Sequence, residues 1–172
     1  GTVEADWLAR FEDRYEVHAD AFAPNPHERA LADVVEAFDL DADPAALADA
    51  LAAADRAATT VSDDAVEALR KLGVGDDLGV LTSGPREWQL GKLDHHDLLG
   101  HFSAVVAADD AGARKPDEAI YEAAREAIDA EEYVMIGDDY EADVEGARAA
   151  GFVPIHFERA GPDFWGTLLA ML

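Results

Sequence analysis

The sequence predicts an α/β protein, a doubly wound parallel sheet with helices on both faces, led by a small all-helical module. Two observations carry that reading. From Val61 onward, short apolar runs alternate with amphipathic stretches of helical period, the pattern of a parallel sheet covered on both sides. Before Val61, apolar residues recur at helical spacing only, and no candidate strand interrupts them.

The first helix is expected from Glu4 to about Phe22, with Trp7, Leu8, Phe11 and Tyr15 on its apolar face. A second follows Pro24 and Pro26 and carries Leu31, Val34, Val35 and Phe38. Asp43-Pro44 starts a third, an acid at the cap and a proline at the first helical position, which runs through Leu47, Leu51 and Ala54 to about Thr59-Thr60. Ser62 caps the next helix, with Asp63 and Asp64 in its first turn, Arg70 and Lys71 in its last, and Gly73 as its stop. Strands are expected at Leu78–Thr82, Ala104–Ala107, Tyr133–Ile136 and Val153–Phe157. Helices between them run from Pro85 to about His95, from Pro116 to Ile128, and up to Gly151. Asp163 caps a last helix holding Trp165, Leu168 and Leu169. The chain therefore divides into a helical cap over residues 4–60 and a core over 61–172.

With 172 residues, 49% of them hydrophobic, the chain supports a packed core and is no disordered acidic tail. It carries 38 acidic against 13 basic residues, a net charge of −25 without a basic patch, which disfavours nucleic acid as a partner. Arginine dominates the basic residues, and the only lysines are Lys71, Lys92 and Lys115. Self-repulsion of such a surface is relieved at molar salt, where the Debye length falls to about 3 Å, and the composition resembles that of salt-in halophiles. The absence of cysteine excludes disulfides, thiolate catalysis and Cys-ligated metal centres. No signal-peptide pattern opens the chain and no run nears the roughly 18 apolar residues of a membrane span, so a cytoplasmic protein without a membrane partner is the expectation.

In a doubly wound sheet, functional groups gather beyond the carboxyl ends of the strands. Three loops fall there. Thr82-Ser83-Gly84 ends the first strand and enters a helix, offering hydroxyls and backbone N–H groups as a phosphate cradle. Arg114-Lys115-Pro116 places a cation at the start of another helix. Gly137-Asp138-Asp139, with Asp143 a turn later, supplies carboxylates suited to a hard cation such as Mg²⁺. Asp139 reads better as a helix cap than as a ligand. His95, His96 and His101 read as solvated or capping residues, and Trp88 and Trp165 as packing residues. Arg86 and Arg114 flank the loops and Trp7 and Phe11 sit on the cap, with substrate contact and plain structural roles both open.

The order Leu81-Thr82-Ser83-Gly84, Lys92-Leu93, Phe102, Arg114-Lys115-Pro116, Gly137-Asp138, Asp143, Gly146-Ala147 and Ala150-Gly151 resembles the haloacid dehalogenase superfamily over about residues 61–157. The helical segment is similar to the small cap that one branch inserts after its first strand, and the core then has a Rossmann-like fold. The resemblance implies a hydrolase that forms an aspartyl-phosphate, with a small phosphorylated metabolite as substrate and Mg²⁺ as cofactor. It gives Thr82, Lys115, Asp138 and Asp143 catalytic roles. Thr82, Ser83, Gly84 and Lys115 would bind the phosphate, and Asp138 and Asp143 would serve the metal, Asp143 by orienting Lys115 or a metal-bound water. Ser83 departs from the asparagine common at its position. A metal-independent 2-haloacid dehalogenase and a non-catalytic phosphate- or cation-binding protein are the alternatives.

One departure is larger. The family opens with an apolar strand ending Asp-x-Asp-Gly-Thr, whose first Asp is the nucleophile, whereas this chain opens Gly1-Thr2-Val3, as a remnant of that motif. Asp39 and Asp41 do not replace it, since they fall in the helical region. The expectation is a truncated sequence lacking the central strand, with strands 78–82 and 133–136 either pairing directly or leaving free edges against an apolar gap. Such a chain is expected to be poorly stable and inactive alone.

Overall fold

The computed structural model describes residues 5–158 and 163–171; Gly1-Thr2-Val3, read as the motif remnant, lies outside them. The helical module is α1 (Ala5–Asp20), α2 (Pro26–Ala37) and α3 (Pro44–Ala58). The expected stop and start signals operate. Pro26 and Pro44 occupy first-turn positions, and the Asp43 carboxylate accepts the Ala45 N–H at 3.1 Å. Asp33 of α2 clamps α1, accepting from Arg14 Nε at 2.6 Å and lying 2.8 Å from His18 Nε2. The Arg14 guanidinium holds the Asp33 carboxyl below the usual carboxylate range.

The core follows as α4 (Asp63–Leu72), β1 (Gly79–Thr82), α5 (Arg86–His95), β2 (Ala104–Ala107), α6 (Ala108–Ala111), α7 (Glu118–Ala127), β3 (Val134–Gly137), α8 (Ala147–Ala149), β4 (Val153–His156) and α9 (Phe164–Met171). Ser62 Oγ caps α4 by accepting the Ala65 N–H at 3.2 Å. Two features were not legible in the apolar pattern. The short α6 follows β2 without a loop, and a π-helical segment, Tyr140–Gly146, precedes α8. No helix among the described residues is long and apolar enough to cross a membrane.

All strand pairing is parallel, Gly79 to Thr82 of β1 facing Ala104 to Ala107 of β2, and Val134 to Gly137 of β3 facing Val153 to His156 of β4. These are two separate two-stranded sheets. Among the described residues β1 and β3 do not pair, and both line one apolar cavity of about 400 Å³, with Leu81, Met135, Ile136 and Phe152 on its walls. Among the described residues neither β1 nor β3 has a strand partner on the side of that space.

The tightest packing lies beside it. Ile120 and Tyr121 of α7 are fully buried and meet Val106, Ala147, Ala150 and Phe152. Tyr121 and Phe152 contact edge to face at 5.6 Å, and the Tyr121 hydroxyl donates to the Ala142 carbonyl. Burial, then the nearby Asp143 and Asp139 charges, pushes the Tyr121 phenol up to about 12, so it remains a donor. This cluster holds α7 against the π-helical segment, and so sets the distance between Lys115, just before α7, and Asp143.

Candidate active site

Thr82 and Ser83 leave the carboxyl end of β1 in a tight turn. Thr82 Oγ1 accepts the Gly84 N–H at 3.1 Å. That N–H, expected to point at a ligand, is turned back on the loop, while the Thr82 hydroxyl can still donate its own proton. Ser83 Oγ accepts the Lys115 N–H at 3.2 Å, which ties the loop after β1 to the segment before α7. The second link is not visible in sequence, because 32 residues separate its partners.

Lys115 and Asp143 form the centre of the site. Lys115 Nζ donates to Asp143 Oδ1 at 2.6 Å, and their side chains are only 12% and 5% exposed. The other carboxylate oxygen of Asp143 accepts the Asp139 N–H at 3.1 Å. Asp139 in turn takes the Ala142 N–H at 2.9 Å and is the expected cap. Both oxygens of Asp143 are thus engaged, which makes it the partner that orients Lys115. Asp138 stands at the carboxyl end of β3, and its carbonyl lies 3.3 Å from His156 Nε2. Among the described residues no three acids or histidines converge on one point.

The two arginines flanking the loops are committed elsewhere. Arg86 donates to Asp110 and to the Val105 carbonyl, each at 2.6 Å, and Arg114 pairs with Asp20 of α1 while lying over the Phe22 ring. Arg114 thereby ties the helical module to the residue just before Lys115. A second tie was missed in sequence, namely Asp55 of α3 receiving Trp88 Nε1 and Lys92 Nζ of α5 at 2.7 and 2.8 Å. Trp88 and Lys92, four apart on one helix, do share a face in the sequence pattern, but nothing there points to Asp55.

Glycine is required where the π-helical segment presses against β3. A Cβ on Gly137 would sit 2.1 Å from Asp143 Oδ2 and 2.2 Å from its Cγ. Gly137→Ala is therefore expected to drive Asp143 off Lys115 and to lower the unfolding free energy by about 2–3 kcal/mol. Urea denaturation of this variant beside Gly75→Ala, a position with open space around it, checks this.

His27 offers a pH readout of the seam between module and core. Its ring lies flat on Trp88, centroids 3.6 Å apart, and burial pushes its pKa down to about 4. The unfolded ring titrates near 6.5, so between these values the unfolded chain binds the extra proton. The contribution of His27 to stability is complete above about pH 6.5 and is lost as the pH falls toward 4. For a half-buried ring screened by solvent this amounts to about 1 kcal/mol. Urea midpoints at pH 7 and pH 5 are expected to diverge less in His27→Gln than in the unaltered chain.

Comparison with known proteins agrees with this arrangement. The family model for haloacid dehalogenase-like hydrolases matches residues 1–151. A ribulose-1,5-bisphosphate 5-phosphatase of Halopiger xanaduensis is 33% identical over 119 residues, 67% of this chain and 50% of that protein. The chain thus spans about half the length of that relative, and less of a Thermus thermophilus phosphoserine phosphatase. Among solved structures, a HAD phosphatase from Thermococcus onnurineus superposes with a TM-score of 0.63 at 29% identity, covering 91% of this chain and 68% of that one. A 2-haloacid dehalogenase from Pseudomonas syringae pv. tomato superposes with a TM-score of 0.72 at 23% identity, covering 99% and 83%, a likeness of fold. With the family model covering most of its length and the Thr82, Lys115 and Asp138 loops meeting at the carboxyl ends of the strands, the chain belongs to the haloacid dehalogenase-like hydrolases.

Proposed function

We propose that the protein is a phosphatase of small phosphate monoesters. The observation that carries this is the Lys115 ammonium, nearly buried, held by Asp143 and joined through Ser83 to the loop that bears Thr82. A buried cation with a free hydroxyl donor nearby suits a dianionic phosphoryl group, whose charge spreads onto its peripheral oxygens during transfer. The relatives matched at the higher identities are named as phosphatases, which supports the same reading.

In this mechanism Thr82 donates to a phosphoryl oxygen and Lys115 neutralises its charge. Asp143 and the Asp139 N–H fix the direction of the Lys115 side chain, so it needs little reorganisation as charge develops. The donor set also fits Mg²⁺, which takes one or two protein carboxylates and completes its shell with phosphate oxygens and water. Asp138, the acid at the strand end, would hold it, with Asp143 serving through Lys115. Bound there, the ion would offset charge between phosphate and carboxylates. The family resemblance implies an aspartate nucleophile beside this site; such an aspartate would attack phosphorus and expel the alcohol, giving an aspartyl-phosphate that water then cleaves. The acid excess is a halophilic adaptation, and assays belong in KCl.

Inorganic phosphate titrated into the chain by calorimetry tests the reading. Binding that Lys115→Met weakens by about tenfold or more is expected. Phosphate heat unchanged by that substitution overturns it. A fusion that places an apolar strand ending Asp-x-Asp ahead of Gly1 is expected to release phosphate from p-nitrophenyl phosphate only with Mg²⁺.

A further inference from the structure

The seam between the helical module and the core holds a second pocket, of about 360 Å³, that opens beside Gly84. One wall is a continuous run of rings: Tyr15 of α1 lies 4.5 Å from His27 of α2, and His27 stacks on Trp88 of α5 with 14° between planes. Among the described residues two charged side chains line it, Asp55 and Lys92, and they cancel, Lys92 Nζ lying 2.8 Å from Asp55 Oδ2. The Lys92 ammonium keeps the Asp55 carboxyl below the usual range, so the pair stays ionised, while His27 is neutral near pH 7. The pocket therefore offers a broad aromatic surface and no net charge.

Its position decides what it can receive. Gly84 belongs to the turn that carries Thr82, so the pocket adjoins the loop proposed to hold the phosphoryl group. A second anionic group entering there would shed water and find no uncompensated cation, which is unfavourable. An uncharged group with a planar or apolar face would lie against the rings.

We propose that this pocket receives the alcohol part of the substrate and that Asp55, by neutralising Lys92, restricts it to uncharged groups with an apolar or planar face. Bisphosphates and phosphorylated acids are thereby rejected. The proposal rests on the phosphatase reading of the adjoining loop. Asp55 is the specificity determinant although it touches no phosphate.

Tryptophan fluorescence of the chain, at the lowest KCl concentration that keeps it folded by circular dichroism, tests this with inorganic phosphate, phenyl phosphate and fructose 1,6-bisphosphate. Phenyl phosphate is expected to bind about tenfold tighter than inorganic phosphate, and the bisphosphate no tighter. Asp55→Asn keeps an oxygen for Trp88 Nε1 and leaves Lys92 uncompensated, so it is expected to tighten the bisphosphate about tenfold without changing inorganic phosphate. Lys92→Gln, which leaves the opposite charge, is expected to weaken the bisphosphate further. Bisphosphate binding as tight as phenyl phosphate in the unaltered chain overturns the proposal, as does bisphosphate affinity indifferent to both substitutions. Failure of inorganic phosphate to bind at all rejects instead the phosphate site on which it rests.

Discussion

Lys115→Met is expected to lower the unfolding free energy by about 3–5 kcal/mol and to remove phosphate binding. The reason is asymmetric. Asp143 is 4% exposed, and without its cation it becomes a buried charge whose remaining hydrogen bond among the described residues is from the Asp139 N–H. Breaking a buried pair from one side leaves that charge uncompensated, whereas replacing both partners by apolar groups is often close to neutral. The double variant Lys115→Met/Asp143→Leu is accordingly expected to recover most of the stability and none of the phosphate affinity. Urea denaturation and calorimetry on the four chains of the cycle separate the two roles. Recovery of both would mean that the pair serves the fold alone. Loss of neither in the single variant would mean that the ion pair is not maintained in solution.

Supplying an extended apolar segment to the space between β1 and β3 is expected to raise the unfolding free energy by a few kcal/mol, on the order of 3–5. Among the described residues no strand pairs with β1 or β3 across the cavity. One strand lying parallel between them would pair with both edges and bring Leu81, Met135 and Ile136 against new apolar side chains. Each such side chain contributes about 1.5–3 kcal/mol on full burial, and the ordering of the added backbone offsets much of the sum. Hydrogen exchange is the direct measure: amides of β1 and β3 are expected to slow when an apolar peptide is added. A peptide with proline at its centre, unable to donate to the ladder, is expected to have no effect. Equal protection by both peptides, or by neither, removes the reading of the cavity as a strand site.

The helices and strands were legible because each is specified by neighbours in the chain. Asp43-Pro44 and Ser62 start helices by satisfying N–H groups within three residues, and the apolar runs at Val80 to Thr82 and Val134 to Ile136 are short enough to be strands. Thr82, Ser83, Gly84, Lys115, Asp138 and Asp143 were legible as candidates because the carboxyl edge of a parallel sheet is a consequence of connectivity. That Thr82 takes the Gly84 N–H was not legible, because a tight turn closed by a side chain has no apolar period to reveal it. The π-helical segment escaped for a related reason. It fits because Gly137 of β3 admits its Asp143 and its own Gly146 admits Pro116 and Tyr121, contacts made with other elements.

By itself, then, the sequence determined the order of elements, the parallel sense of the strands, the acidic surface and the inventory of groups at the strand ends. Tertiary structure chose, of the two roles the resemblance left to Asp143, the one at Lys115; it alone decided that Arg86 and Arg114 are held by Asp110 and Asp20, and that Asp55 joins the helical module to Trp88 and Lys92. It also decided that β1 and β3 stand apart across an apolar cavity. The division has one physical cause. Caps, turns and hydrophobic period are energies of short range along the chain, whereas ion pairs and cavities depend on which distant segments the packing of apolar faces brings within a few ångströms.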